Sequence, residues 1–148
     1  MSGLRPKVAS IREYDGTCRA LSKEGDQAAD FTKIAPTSIP CEAVILMRGE
    51  NGTAMLTGGK LAGGSDALGF GSPNFQLKPS GKTITMPVDS IHLGAAHGVD
   101  AIGSCLFSGT DIDTVTTISC TARVMDGSQK KLFGLDIHVV SVHVIQAK

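Results

Sequence analysis

Four histidines are the side chains best suited to bind a metal or to act as a general base, and they come in two pairs. His92 and His97 are five residues apart, and so are His138 and His143. Side chains along a strand alternate between its two faces, so an odd offset predicts that the members of a pair point in opposite directions. We therefore predict that neither pair shares a metal ion. In the second pair, we expect one histidine to border the core and the other to face solvent or a neighbouring subunit.

Cysteine is the other residue type that could act chemically. Cys105 could serve as a nucleophile with a histidine as base and Asp100 or Asp111 to orient it, but nothing in the sequence brings these residues together. The spacing of the cysteines fits neither a CxxC metal site nor a compact disulfide framework. We expect buried free thiols in a reducing cytoplasm for all four: Cys18, Cys41, Cys105 and Cys120.

Three short patterns resemble ligand-binding motifs but lack residues that those motifs need. Lys60 follows a glycine pair, but the next residue is Leu61 rather than the Ser or Thr of a phosphate-binding loop. The segment GFGSPN, residues 69–74, has Asn74 in place of the third glycine of a dinucleotide motif. Residues 110–113 resemble only half of a calcium loop. We predict no catalytic, cofactor-binding or metal-binding residue, and no cofactor.

The composition limits the partners that the chain can attract. Its 148 residues suit a single domain, residues 1–148, and its 14 basic residues equal its 14 acidic ones. It has one tyrosine, five phenylalanines and no tryptophan. A neutral chain with few aromatic residues has little attraction for nucleic acid or for an anionic membrane, so we expect neither as a partner.

Alternating apolar residues and turn signals predict strands in the first half of the chain. Residues 1–12 are expected to form an extended arm or an edge strand, because Pro6 disfavours a central position. The predicted elements that follow are a turn at Asp15-Gly16, strands over 17–22, 41–47 and 54–57, one short helix over 27–34, and a hairpin turn at 50–53. Residues 58–81 are rich in glycine and predict a long loop excursion.

The second half predicts strands over 83–88, 99–107, 116–124 and 132–145. Pro87 places the first of them at an edge or near its own end. The last two form a hairpin in which Ile118, Cys120, Ala122 and Val124 share one face. Long helices are missing from the pattern, so we predict an all-β fold with at most one short helix. The architecture should be an antiparallel β-sandwich or a small β-barrel.

This physical type favours a non-enzymatic structural subunit of a self-assembling particle. The neutral, Gly-rich, aromatic-poor composition resembles that of virus or bacteriophage virion proteins of the coat, decoration or tail-tube kind. We expect a homo-oligomer that also contacts other structural proteins of the same particle. No apolar stretch follows the first residues, so we predict no secretory signal, synthesis in the reducing cytoplasm and a final place in the virion.

Two other classes remain as alternatives. A small OB-like module could bind single-stranded nucleic acid or another oligomeric ligand, although such modules combine a basic groove with aromatic stacking residues. A β-barrel enzyme that uses Cys105 or a histidine ranks last.

Overall fold

The structure, a computed structural model, describes residues 8–24, 37–39, 43–59, 68–75, 79–93, 98–126 and 129–146. Within these ranges the chain forms strands and contains no helix. The strands are β1 (Val8–Glu24), β2 (Thr37–Ile39), β3 (Ala43–Gly49), β4 (Ala54–Gly59), β5 (Leu68–Ser72), β6 (Pro79–Ser80), β7 (Thr83–Leu93), β8 (Val99–Ser108), β9 (Thr117–Asp126) and β10 (Gln129–Gln146). The all-β prediction is confirmed. The helix predicted over 27–34 lies outside the described residues.

Eight of these strands close into an antiparallel barrel. Their order around the barrel is β1, β3, β4, β5, β7, β8, β9 and β10, and β10 pairs again with β1. The short strands β2 and β6 add to β1 and β7 outside this cycle. Each strand of the cycle therefore lies beside the next one along the chain. Of the two predicted architectures, the barrel is the one that forms.

Alternating side chains fill the inside of the barrel. Tyr14, Leu46, Phe70, Phe107 and Ile118 are among the fully buried residues, contributed by β1, β3, β5, β8 and β9. A barrel of eight strands has an interior just wide enough for side chains to fill it. Each large apolar side chain buried there stabilises the fold by about 1.5–3 kcal/mol. The interior is thus a packed core.

The predicted closing hairpin is confirmed, with β9 pairing in register with β10. Its second strand contains an irregularity that the sequence did not indicate. Asp15 of β1 is opposite Ser141, whereas Gly16 is opposite Val139, so Val140 is an extra residue in the ladder. Such a bulge reverses the alternation on either side of it. Both His138 and His143 consequently face outward, and the prediction that one borders the core is wrong.

The predicted turn at Asp15-Gly16 is part of the same bulge, and β1 runs through it as one strand. A side chain at Gly16 would collide with the backbone carbonyl oxygen of His138. Glycine therefore allows β1 and β10 to approach closely where both strands bend around the barrel. Within the segment predicted as an arm or edge strand, Val8 and Ser10 pair with β3 alone among the described strands, whereas Ile11 and Arg12 pair with β3 on one side and with β10 on the other.

The Gly-rich segment over 58–81 is not a single loop. Its residues 68–72 form β5, which is buried throughout and lies between β4 and β7. Glycine at 69 and 71 suits this position, since the outer face there is occupied by side chains of the neighbouring strands. Residues 60–67 and 76–78 lie outside the described part of the chain.

Pro87 is neither in an edge strand nor near the end of its own strand, because β7 continues to Leu93 and lies between β5 and β8, but a short local edge runs beside it. On the β5 side, β7 pairs with β6 through Ile84 and with β5 from Ser90 onward. Among the described residues no strand pairs with the stretch between them on that side. Because no described strand pairs there, the missing backbone N–H of Pro87 costs no ladder hydrogen bond on that side. The proline also discourages another strand from pairing with this short edge.

The prediction of free thiols is wrong. Cys105 and Cys120 are directly opposite each other on β8 and β9 and form a disulfide, and Cys18 is disulfide-bonded as well. Cys41 lies outside the described residues. Burial is as expected, since the sulfurs of Cys105 and Cys120 are inside the barrel. Disulfides are typical of oxidising compartments, so the bond favours an oxidising environment over the reducing cytoplasm.

The described segments include no helix able to cross a lipid bilayer.

Candidate functional site

One end of the barrel carries most of the polar side chains that are removed from water. We call it the plugged end. It is formed by the first residues of β1, the turn over 50–53, residues 73–75, the loop over 109–116 and the last residues of β10. Phe75, Ile112 and Val115 are buried there and cover the core. The residues that could bind a ligand or take part in a reaction lie at or beside this end.

Tyr14 and Arg12 on β1 hold the loop over 109–116 against the barrel. The Tyr14 hydroxyl donates a buried 2.9 Å hydrogen bond to the carbonyl oxygen of Ile112. Arg12 Nε donates to Asp113 Oδ1 at 2.6 Å in an ion pair. Burial is the main reason that the pKa of Tyr14 is raised, so the phenol stays protonated and serves as a donor. These two contacts hold the loop over 109–116 in place at the plugged end.

The loop itself is a capped turn. Asp111 Oδ1 accepts a 2.9 Å hydrogen bond from the backbone N–H of Asp113. This arrangement is an Asx turn, in which the side chain replaces a backbone acceptor. Asp111 and Asp113 are thus used within the turn and in the ion pair with Arg12. The described residues include no cluster of His, Cys, Asp and Glu that could hold a metal ion.

A second arginine at the plugged end, Arg48 of β3, lies over the ring of Phe75. Its guanidinium is 5.4 Å from the ring centroid of Phe75, and that ring stacks on Phe107 with centroids 5.6 Å apart. Partial burial, followed by the positive charge of Arg12, lowers the pKa of Arg48. The two arginines are therefore close enough to repel each other, and Asp113 forms its ion pair with Arg12.

Several buried polar atoms at this end have no hydrogen-bond partner among the described residues. They are Ser10 Oγ, Arg12 Nη1 and Ser72 Oγ. The strand register places Ser10 opposite Arg48, Arg48 opposite Ala54, and Ala54 opposite Ser72. Ser10, Arg48 and Ser72 thus form one row across four strands. Buried polar groups are normally satisfied, so the two serines at the ends of this row mark places where a buried water fits.

A groove opens beside this row, where β5 ends and the barrel wall has its gap next to β7. Its volume is about 470 Å³, within the usual range for small-molecule sites. Its polar lining includes Arg48, Ser72 and Asp89. The other lining residues are mostly small or apolar: Met47, Gly49, Thr53, Ala54, Met55, Gly71, Pro73 and Ser90. The groove is therefore lined by one basic and one acidic residue among mostly small or apolar ones, and these come from both faces of the barrel wall.

His92 lies on the outer face beside the groove, over the glycines of β5. Its Nε2 is 3.1 Å from Ser90 Oγ. Side chains at Gly69, Gly71 or Gly98 would press against the His92 imidazole or its Cβ. Among the described residues no carboxylate hydrogen-bonds to the ring, so the pair lacks the orienting group of a catalytic triad.

We expect His92 to make the protein less stable as the pH falls. Burial lowers the pKa of His92 below its ordinary value of 6.5, an effect that Asp89 partly offsets. The unfolded chain then binds the proton more readily, so stability is lost as the pH drops through about 6.5. Urea unfolding at pH 8 and pH 5.5 measures the change, and His92→Gln should reduce it. An equal pH dependence in both proteins would contradict this role.

The end of β10 is the second candidate site. On the side of β10 away from β1, the last backbone hydrogen bond among the described residues runs from the N–H of Val139 to the carbonyl oxygen of Thr116. Beyond it, residues 140–146 pair with β1 alone among the described strands. Val140, Val144 and Ile145 are 83%, 48% and 57% exposed. Ile145 is a second extra residue in the ladder, because Arg12 is opposite Val144 whereas Ile11 is opposite Gln146.

The histidines named from the sequence do not form a common site. His143 Nε2 is 2.9 Å from Asp15 Oδ2 on the barrel surface. A hydrogen bond with Asp15 raises the pKa of Glu13, which lies opposite His143. His138 is exposed further along β10, and His97 lies outside the described residues. Cys105 is closed in its disulfide, so the nucleophile considered for it is not available.

The sequence analysis did not identify Ser10, Arg12, Arg48 and Ser72. A signal for Arg48 was present, since Val44 and Leu46 belong to the inward set of β3 and Arg48 continues it at the same spacing. A charged residue in an inward position next to a turn is uncommon enough to mark a site.

Comparison of the chain with models of protein families, with curated proteins and with solved structures finds no match.

Proposed function

We propose that the protein is a structural subunit that associates with further copies of itself through the free edge of β10, residues 140–146. The observation that supports this most directly is a short stretch that pairs on one side only among the described strands and carries three exposed apolar side chains. Such an edge is a template for another strand. Pairing would satisfy the backbone groups and remove the apolar side chains from water.

A second copy is the partner that the chemistry of this edge suits. Residues 140–146 read VSVHVIQ and contain no Asp, Glu, Lys or Arg. Two such segments related by a two-fold axis pair antiparallel without setting acidic or basic side chains of like charge opposite each other. The local edge of β7 carries Pro87, which discourages pairing, whereas the edge of β10 carries no proline.

The two other classes have weaker support. OB folds are five-stranded Greek-key barrels, whereas here eight strands follow one another around the barrel. An enzyme would need a site with a nucleophile and an oriented base, and the described residues bring no such set together. The more specific expectation of a virion coat, decoration or tail-tube protein stays a prediction, as does contact with other proteins of the particle.

Sedimentation of the purified protein at increasing concentration tests the proposal. We expect the wild-type protein to form dimers or larger species at micromolar concentrations. The double variant Val144→Lys/Ile145→Lys should shift this association by about tenfold or more toward the monomer, because two charges are placed on the edge. Circular dichroism and a melting curve check that the variant folds.

Ile102→Lys is the matched control. Ile102 is 77% exposed, but β8 is paired on both sides, so the substitution adds a charge to an apolar surface position without affecting a free edge. It should leave the association unchanged. A wild-type protein that remains monomeric at every concentration would refute the proposal. An equal effect of both substitutions would show that association uses a surface other than β10.

A further inference from the structure

We propose that the outer face of the barrel binds one Cu(I) ion through the thioether sulfurs of Met47 and Met55 and the Nε2 nitrogen of His92. These residues belong to β3, β4 and β7, so only the register between strands brings them together. The site does not depend on self-association, because β1 and β3 lie between β4 and the edge of β10.

The strand register places the three side chains on the same side of the barrel wall. Met47 is directly opposite Met55, and the row continues through Gly71 of β5 to Ser90 of β7. His92 is two residues beyond Ser90 and shares its face. The neighbours that alternate with these positions are buried in the core: Leu46, Leu56, Phe70 and Ile91. The ligand side chains therefore point away from the core.

The glycines of β5 allow Met55 and His92 to approach each other across that strand. The place that a Cβ would take at Gly69 is 3.0 Å from Met55 Sδ and 3.4 Å from the Cβ of His92. The corresponding place at Gly71 is 3.3 Å from His92 Nε2 and 3.5 Å from the methyl carbon of Met55. The two side chains thus cover the same pair of glycines from opposite sides, and a larger residue on β5 would keep them apart.

The ligand atoms can be reached from solvent. Met47 is 37% exposed, and Met55 and His92 are partly exposed. Met47, Met55 and Ser90 line the same groove, and Ser90 Oγ is 3.1 Å from His92 Nε2, so this nitrogen is directed toward the groove. A bound ion would replace the serine hydroxyl at Nε2. The flexible side chain of Met47 can turn its sulfur toward that of Met55 without a backbone movement.

The types of ligand select a soft ion. Thioether sulfur favours Cu(I), and imidazole also suits copper. Zinc sites combine histidine with cysteine thiolates or carboxylates, and the described cysteines are closed in disulfides. A thioether does not form disulfides, so this set of ligands also suits an oxidising compartment. Asp89 is exposed and lines the groove, which brings a negative charge beside the proposed cation.

Titration with Cu(I) under nitrogen, in competition with the chelator bicinchoninate, tests the site. We expect one Cu(I) per chain, and calorimetry with Zn(II) should show binding about a hundredfold weaker or worse. Met55→Leu and His92→Gln should each weaken Cu(I) binding by about tenfold or more, because each removes a ligand. Met47→Leu should weaken it by about threefold or more.

Methyl NMR separates direct ligation from binding elsewhere on the surface. Cu(I) should shift the methyl resonances of Met47 and Met55. The methyl resonance of Met86, which is fully buried inside the barrel, should stay in place. Unshifted Met47 and Met55 signals at saturating Cu(I) would overturn the proposal.

His138→Gln is the matched control, because it removes an exposed histidine of β10 away from the groove. It should bind Cu(I) like the wild-type protein. If His92→Gln does not fold, Met55→Leu still tests the site, since leucine keeps the approximate size of methionine. Absence of saturable Cu(I) binding would refute the proposal, and so would equal binding of Zn(II), unchanged binding by Met55→Leu, or an equal loss in His138→Gln and His92→Gln.

Discussion

Replacing both Cys105 and Cys120 by alanine is expected to lower the free energy of unfolding by about 3 kcal/mol. The two residues are 15 positions apart, and a cross-link that closes a loop of this length restricts the unfolded chain by about that amount. Both side chains are fully buried between β8 and β9, so the loss of their sulfur atoms also leaves space in the core. For a domain of this size, a change of this magnitude is a large part of the total stability.

Urea unfolding without reductant measures this effect, since the disulfide of Cys18 then remains in both proteins. The matched control is Ser104→Ala/Thr121→Ala, which alters the next directly opposed pair of the same two strands. This control should cost less than about 1 kcal/mol, because it removes no covalent bond and no buried apolar side chain. Equal unfolding midpoints for the cysteine double variant and the wild-type protein would contradict the stabilising role of the bond.

Phe107→Ala should lower the free energy of unfolding by about 3–5 kcal/mol. Phe107 is fully buried, and its ring stacks on Phe75, which in turn lies under the guanidinium of Arg48. Its removal would therefore empty part of the core and also loosen the support of Arg48.

Leu106→Ala is the control for this experiment. Leu106 is the preceding residue of β8, points to the outer face and is 46% exposed. Its truncation should cost less than about 1 kcal/mol, because much of the side chain is already in water. Thermal melts of both variants give the comparison. A similar loss in the two proteins would show that the assignment of inner and outer faces on β8 is wrong.

The sequence predicted most reliably where strand pairing is local. Ile118, Cys120, Ala122 and Val124 were assigned to one face of β9, and all four are buried. The turn over 50–53 joins β3 and β4 as expected. In these segments, alternation and turn residues contain the needed information, because each strand packs against a neighbour close in sequence.

The same patterns failed where distant strands determine the result. Glycine in 58–81 indicated a loop, yet β5 is central, because the barrel needs small residues where Met55 and His92 occupy the outer face. Asp15-Gly16 indicated a turn, yet β1 continues, because β10 pairs with it on both sides of the bulge. The polar residues of the candidate groove were not identified, since Ser10, Arg48 and Ser72 come together only across four strands.

The sequence by itself determined the all-β class, the zero formal net charge and the inward face of β9, because composition and two-residue periodicity are properties of the chain alone. The tertiary structure decided the closure of the barrel, the disulfide and the row of buried polar residues. Each of these depends on the register between strands, and one extra residue at Val140 already puts His138 and His143 on the same face. That register is fixed by contacts between β1 and β10, which lie more than a hundred residues apart in the chain.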